Sequence, residues 1–403
     1  MDVRWVPYAA VFLSALVTSL AMTPLASRIA WKVNAVDYPG IRRVNKQPIP
    51  RMGGIAVFAA IVVAFLVQYF GTTYLGWETV LSPSVHLAGI SYQVLACAFG
   101  VIFLTGILDD KFHLKPLQKL AGQLIAAAIA VSGGLVIGSV VNPFSGSYFY
   151  LGWVAYPVTV FYLVAYVNIF NLIDGLDGLA SGIACIAGFT MFTLAMFAGR
   201  PDAATLAISL VGATLGFLRY NFHPASIFLG DSGSLLLGFT LGTVSLLSVT
   251  RIAGFTTVIV PLVIAGMPII DTFSAIIRRF RAGVSIGQAD RGHIQHRLLD
   301  RGFDQRRAVL TMYGWTGLLC IGTLIMTQVS VGPRVAVFGV LVIGSAAFAM
   351  HLHLFEPVLL HHYNKYTGED ELVDPDNPAF EDEKERFVEE HHLERMDIRR
   401  RTK

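Results

Sequence analysis

The sequence predicts an all-α integral membrane protein of about eleven transmembrane helices, and three observations carry that prediction. Hydrophobic residues make up 54% of the chain and charged residues only 14%, with a mean hydropathy of +0.61. A water-soluble domain carries about a quarter charged residues, so a soluble enzyme or a nucleic-acid-binding module is excluded. Apolar runs near the roughly 20 residues needed to cross a bilayer recur as far as residue 354. Lysine and arginine gather in alternate connecting segments, the asymmetry that orients helices in a membrane.

The runs fall at about 6–27, 53–70, 88–108, 117–137, 152–170, 179–198, 203–219, 233–250, 253–273, 309–328 and 333–354. The first follows Met1-Asp-Val-Arg4-Trp-Val-Pro7, where an acid precedes the single arginine and no small-residue cleavage site stands out. It therefore reads as a retained anchor rather than a cleavable signal. The run at 117–137 opens with Lys119 and Gln123, and 203–219 is short, yet the charge alternation needs both. With the N-terminus outside, 26 of the 30 lysines and arginines fall in inner segments, and only Arg4, Arg200, Arg251 and Arg334 lie outside. The C-terminus is then cytoplasmic. Cys97, Cys185 and Cys320 all lie in apolar runs and suggest no disulfide framework. Residues 1–354 read as one membrane-embedded domain and 355–403 as a charged cytoplasmic tail, acidic from Glu369 to Glu390 and closing on Arg399-Arg400-Arg401-Thr-Lys403. That tail reads as solvated, with residues 379–398 able to form a charged surface helix and the basic end able to touch anionic lipid. No internal repeat is visible.

Ionisable groups at the edge of a membrane span are costly and call for a function. Three acidic phrases stand at such edges, all on the inner face by the charge count: Asp109-Asp110, Asn171-Leu-Ile-Asp174-Gly-Leu-Asp177-Gly, and Phe228-Leu-Gly-Asp231-Ser-Gly. Asp109-Asp110 reads either as a metal-linked or proton-accepting pair beside Lys119, or as a solvated turn with a capping acid. Adjacent carboxylates repel unless a metal or lysine sits close. Pro116 suits the first turn of the next helix and puts Lys119 on that turn. The spacing of Asn171, Asp174 and Asp177 keeps them on adjoining parts of a helical surface, where amide and carboxylate oxygens suit a hard cation such as Mg2+; the other reading is that they cap a short inner turn between spans. Asp231 and Ser232 open the next span, as an N-cap or as a helix end that receives a diphosphate. Phe228 reads as a base-stacking ring or as membrane core. His293 and His296 share one side of a helical turn and, with Arg291, read as ligands of a transition metal or of phosphate and sugar. The eight basic residues between 278 and 307 favour an anionic ligand. The first inner loop, from Arg42 to Gly54, is basic, and orientation in the membrane alone explains its charge.

The pieces specify a Mg2+-dependent site for a phosphate-bearing substrate at the inner membrane–water boundary. In that pattern the chain resembles the polyprenyl-phosphate N-acetylhexosamine-1-phosphate transferases (glycosyltransferase family 4). The match rests on Pro48–Gly54, Gly106–Asp110, Asn171–Gly178, Tyr220–Ala225, Phe228–Ser234 and Ala289–Gly302, in family order across roughly residues 1–354. It looks most like the WecA/TagO-like branch, chiefly through Ala289–Gly302. The resemblance implies transfer of a sugar 1-phosphate from a UDP-sugar, most simply UDP-N-acetylglucosamine, to undecaprenyl phosphate, with release of UMP, in the cytoplasmic membrane of a bacterium. It implies Mg2+, with Mn2+ as an alternative, held by Asn171 and Asp231. It implies a catalytic group of Asp109, Asp110, Lys119 and Asp174, and substrate-binding positions at Asp177, Asn221, Phe228 at the uracil, Arg291, His293 and His296. A homodimer stays open, and no nucleic acid is implied. Gln295 stands where the family usually has histidine, which leaves UDP-MurNAc-pentapeptide as another donor. An ion-coupled transporter is disfavoured because such proteins bind near the midplane between repeated halves. A CDP-alcohol phosphotransferase is disfavoured because Asp177-Gly-Leu-Ala-Ser lacks the arginine of its motif.

Overall fold

The structure is a computed structural model that describes residues 5–38, 47–77, 89–141, 148–249, 262–281, 293–352, 354, 362–363 and 370–371. Among them are twelve α-helices: α1 (Trp5–Lys32), α2 (Gly54–Tyr74), α3 (Tyr92–Phe112), α4 (Pro116–Ser132), α5 (Ala155–Leu172), α6 (Leu179–Phe197), α7 (Pro201–Asn221), α8 (Gly230–Val249), α9 (Gly266–Arg281), α10 (Ile294–Asp300), α11 (Gln305–Gln328) and α12 (Val331–His351). Eight helices in the described residues are long and apolar enough to cross a membrane: α1, α2, α3, Gly152–Leu172, α6, α7, α11 and Gly332–His351. The protein is thus an all-α polytopic membrane protein. Its remaining strands are two or three residues long and pair as β1 (Val36–Asp37) with β2 (Ile49–Pro50), β3 (Ser139–Val141) with β4 (Tyr148–Tyr150), and β5 (His362–Tyr363) with β6 (Asp370–Glu371).

The helix ends follow local chemistry. α3 stops where His113 enters the left-handed region (φ +53°). Proline opens α4 and α7, its missing N–H harmless in a first turn, and Gln118 accepts the Lys115 amide at 3.0 Å. Asp304 caps α11 by accepting from the Arg307 amide at 2.7 Å.

The chain divides into two compact units, one of residues 1–269 and 304–341, the other of 270–303 and 342–403. In the first, α7 is largely buried, and small residues let its neighbours close in, as apolar solvent requires of membrane helices. A Cβ at Gly212 would lie 2.4 Å from the Phe12 carbonyl oxygen and one at Gly216 would lie 2.6 Å from that of Leu16. Ser19 seals this α1–α7 contact by donating to the Ala213 carbonyl at 2.7 Å. The same device sets the start of α8 between α2 and α3. A Cβ at Gly54 would lie 2.2 Å from the Gly233 nitrogen, and one at Gly106 would lie 2.4 Å from the Ser232 Cα. The loop before α2 is stitched to the one before α8 by a parallel bridge between Arg51 and Phe228. The bonds are Phe228 N to Pro50 O at 2.9 Å, and Gly53 N and Gly54 N to Phe228 O and Leu229 O at 3.0 Å each.

In the second unit, the buried polar residues Asp271, Ser274 and Arg278 line one stripe of α9. Asp271 accepts the Ile294 amide at 2.7 Å, and the Arg278 guanidinium donates to the Leu354 carbonyl.

Two expectations change. Asn171, Asp174 and Asp177 do not share one helical surface but follow the other reading, a short turn between spans: α5 ends at Leu172, residues 173–178 form a turn, and α6 starts after Gly178 in the left-handed region (φ +78°). The run 253–273 lies outside the described residues up to 261, and the helix in its second half continues to Arg281.

The squeeze between α3 and α8 makes a direct prediction. Gly106→Ala places a methyl against backbone that cannot move aside, so it destabilises by about 1–3 kcal/mol, as overpacking does. Gly100, on the same helix, faces open space. Melting temperatures of the detergent-purified protein should fall for Gly106→Ala and hold for Gly100→Ala; equal values would show that the two helices are not in contact there.

Candidate active site

The site forms where α3, α4, α5, α8 and the loop before α2 converge. Asp110, at the end of α3, is fully buried and reaches the first turn of α8. Its Oδ1 accepts the Asp231 amide at 2.7 Å and its Oδ2 the Ser232 amide at 3.0 Å. An acid from one helix thus satisfies the free N–H groups of another and meets the positive end of its dipole. Gly230 makes room for it: φ is +72°, and a Cβ there would lie 2.6 Å from the carboxylate. Arg51 completes the arrangement, with 3.3 Å to Asp110 Oδ1 and 2.9 Å to Asp231 Oδ2. Burial opposes the Arg51 charge, but Asp110 and Asp231 outweigh it and raise its pKa.

Asp109 faces the other way. Its Oδ1 accepts the Leu114 amide at 2.8 Å, closing the turn into α4, and its Oδ2 lies 2.9 Å from Lys119 Nζ. The same ammonium donates to Asn171 Oδ1 at 2.9 Å and to Asp231 Oδ1 at 2.5 Å. Asn171 Nδ2 donates to Asp231 Oδ1 at 2.6 Å and to Ser234 Oγ at 2.8 Å. Oxygens of Asp109, Asn171 and Asp231 therefore surround one cation. Among the described residues no group of three or more His, Cys, Asp and Glu side chains is placed to hold a metal ion; the oxygens here come from two acids and an amide.

Asp174 stands in the turn after α5. Burial first, and then the negative charges of Asp231 and Asp110, push its pKa up to about 8, with Arg51 and Lys119 offsetting part of the rise. It is thus mostly neutral at pH 7. Asp109, Asp110 and Asp231 already face only two cations, Arg51 and Lys119, so ionising Asp174 as well would add a negative charge that no cation there balances.

The sequence-predicted residues separate into groups. Asp109, Asp110, Lys119, Asn171 and Asp231 form one network, and Asp174 feels its charges. Asp177 lies on a second network, where its Oδ2 accepts from Ala225 N at 3.0 Å and pairs with His223 Nδ1 at 2.7 Å. Asn221 is buried, accepts from Ser181 Oγ at 2.9 Å and donates to the Ile227 carbonyl at 3.0 Å, so it braces the loop that carries Phe228. Phe228 is half-buried. His293 and His296 belong to the second unit and bracket the first turn of α10: His293 is its extended N-cap (ψ 150°), its carbonyl accepts the His296 and Arg297 amides at 2.9 and 3.1 Å, and its Nδ1 lies 2.9 Å from Asp271 Oδ2. Arg291 lies outside the described residues.

Four residues escaped the sequence reading. Arg51 was hidden among cations that membrane orientation already explained, although its place next to Met52-Gly53-Gly54 marked a tight approach. His223 sat inside a quoted motif without a role. Ser234 closes another quoted motif without a role, and Asp271 lies in the apolar run 253–273 outside any motif.

A family model described as Glycosyl transferase family 4 matches residues 92–249. Those bounds contain every member of the acid–cation network except Arg51. The chain is 36% identical over 343 residues to "Probable undecaprenyl-phosphate N-acetylglucosaminyl 1-phosphate transferase" of Bacillus subtilis, covering 85% of this chain and 91% of that one. It is 34% identical over 362 residues to a decaprenyl-phosphate N-acetylglucosaminephosphotransferase of Mycolicibacterium smegmatis, covering 83% and 86%. Against an undecaprenyl-phosphate alpha-N-acetylglucosaminyl 1-phosphate transferase of Escherichia coli K12 the identity is 32% over 309 residues, covering 74% and 78%.

The neutral Asp174 predicts a pH effect. Between its ordinary value of 3.8 and about 8 the folded chain holds a proton that the unfolded chain has released. Stability contributed by this group therefore falls as pH rises through that window. In chelator-treated protein, the melting temperature of wild type should drop more steeply from pH 5 to pH 9 than that of Asp174→Asn. Parallel profiles would contradict a proton on Asp174.

Proposed function

The chain belongs to glycosyl transferase family 4, and on that footing we propose that it transfers N-acetylglucosamine 1-phosphate from UDP-N-acetylglucosamine to undecaprenyl phosphate. UMP is released, and the lipid diphosphate-sugar starts a cell-envelope polysaccharide. The relatives' names, which specify N-acetylglucosaminyl 1-phosphate transfer, support this donor over UDP-MurNAc-pentapeptide. The observation that carries the reading is the Lys119 ammonium enclosed by Asp109, Asn171 and Asp231 in a mostly apolar chain.

In the reaction, an oxygen of the lipid phosphate bonds to the sugar-bearing phosphorus of the donor. The bond from that phosphorus to the bridging oxygen breaks, and UMP leaves with the electron pair. Charge gathers on the phosphoryl oxygens, so catalysis is chiefly positioning and neutralisation. Lys119 supplies a mobile cation to those oxygens. Asp109, the acid of the pair with an oxygen turned to Lys119, meets the acceptor phosphate and takes its proton where it carries one. Asp110 acts one step back, holding α8 and Arg51. Asp177 with His223 and the loop of Phe228 serve donor binding; for His293 and His296 that role is what the family resemblance implies.

Mg2+ belongs to this proposal. Hard divalent cations take carboxylate and amide oxygens, which Asp231 and Asn171 offer around the position of the ammonium, and a second deficit of charge appears once Asp174 ionises. Bound there, Mg2+ would neutralise diphosphate charge. The eleven-span arrangement, the outside N-terminus and the cytoplasmic-facing site are supported by the lysine and arginine distribution, and a bacterial cell membrane by the organisms of the relatives.

Asp231→Asn should abolish UMP release from UDP-N-acetylglucosamine in membranes supplied with Mg2+ and undecaprenyl phosphate. Turnover like that of wild type would remove Asp231 from the metal site. With purified wild type, UMP release should occur with UDP-N-acetylglucosamine and not with UDP-MurNAc-pentapeptide; the opposite preference would overturn the donor assignment.

A further inference from the structure

One turn deeper than the ammonium, α4 and α5 meet again through side-chain amides. Gln123 Nε2 donates to Asn168 Oδ1 at 3.3 Å, and Asn168 Nδ2 donates back to Gln123 Oε1 at 2.7 Å. Asn168 Nδ2 also reaches the Val164 carbonyl at 2.8 Å. Gln123 follows Lys119 by four residues and Asn168 precedes Asn171 by three, so each amide lies on the same helix face as the group it underlies. From these positions we infer that Gln123 and Asn168 are positioning residues that fix the rotation and height of α4 against α5, and thereby hold Lys119 on Asn171 and Asp231.

The packing of α4 explains why such a device is needed. The other buried side chains of the helix are Ala126, Ala127, Ala130 and Val131. Alanines give a smooth seam that resists neither sliding nor rotation. Leu117, Leu120, Leu124 and Ile125 on its other faces are exposed from the protein and add no register. Gln123 is 1% exposed and is the one polar residue of the buried stripe. A paired amide in an apolar interior has two geometrically defined bonds, and slipping the helices leaves polar groups unmatched where no water replaces them. The 2.9 Å contact between Lys119 and Asn171 is the product of that register.

The inference rests on the reading of Lys119 and Asn171 as part of the reaction centre, and two measurements separate its fate from that reading. The first is turnover in Gln123→Leu, in the double variant Gln123→Leu/Asn168→Leu, and in the swap Gln123→Asn/Asn168→Gln. The double variant restores apolar packing without defined pairing, and the swap keeps an amide on each side. Misplacing a catalytic group by about 1 Å costs up to 100-fold, so kcat should fall about 10-fold or more in Gln123→Leu while KM for the donor changes less than about twofold. The double variant should melt like wild type and stay slow, and the swap should recover most of kcat. A double variant with wild-type kcat would overturn the inference.

The second measurement does not depend on turnover. In full-length chains whose native cysteines are alanine, Lys119→Cys/Asn171→Cys is cross-linked with a short bifunctional thiol reagent. Adding Gln123→Leu should lower the cross-linking rate about threefold or more, as expected for helices that have lost a fixed register. An unchanged rate would overturn the inference, whatever reaction the chain performs.

Discussion

One carboxylate holds the site together. Asp110 leaves α3, enters the protein without solvent contact and closes both of its oxygens on the Asp231 and Ser232 amides in the first turn of α8. That contact fixes where α8 begins, and hence where Asp231 stands. It also needs Gly230 in a left-handed conformation and a glycine at position 106, because any side chain there would fill the space the two helices share. Arg51 joins the same carboxylate to Asp231, and the bridge between Arg51 and Phe228 carries the loop before α2 into the network. Removing either partner of so buried a pair leaves an uncompensated charge, which proteins tolerate poorly.

Around this anchor the charges are divided by task. Asp110 is spent on structure. Asp109 and Asp231 each keep an oxygen on Lys119, and Asn171 contributes the third. Asp174, short of cations, keeps its proton. The cluster is therefore close to balance as it stands and turns strongly negative only when Asp174 ionises. Such a site has a built-in appetite for positive charge, which fits a reaction between two phosphates that would otherwise repel each other.

Much of this was legible in the sequence. Membrane spans announce themselves through length and hydropathy, and acids at their ends stand out because an apolar medium penalises them. The proline before Lys119 placed the lysine correctly on the first turn of α4. What could not be read is what depends on contact between distant segments. Nothing local tells Asp109 from Asp110, yet one faces a lysine and the other caps a helix. Arg51 lay among cations already accounted for by orientation, and its role appears only when Pro50 and Gly53 are seen hydrogen-bonded to Phe228. The histidine pair brackets the first turn of α10, but the His293 side chain goes to Asp271, a partner that no local spacing announces. Of the two readings of Asn171 to Asp177, the turn between spans is the one found, because the glycines at 175 and 178 turn the chain after Leu172 instead of continuing the helix.

The central claim is that the oxygens now gathered on Lys119 are those that receive a divalent cation. An anomalous difference map of the protein with Mn2+ and UMP tests it most directly. The account predicts a peak bonded to Asp231 and Asn171, with the Lys119 ammonium moved off Asp231 Oδ1. A peak elsewhere, with Lys119 still bridging Asp109, Asn171 and Asp231, would contradict it.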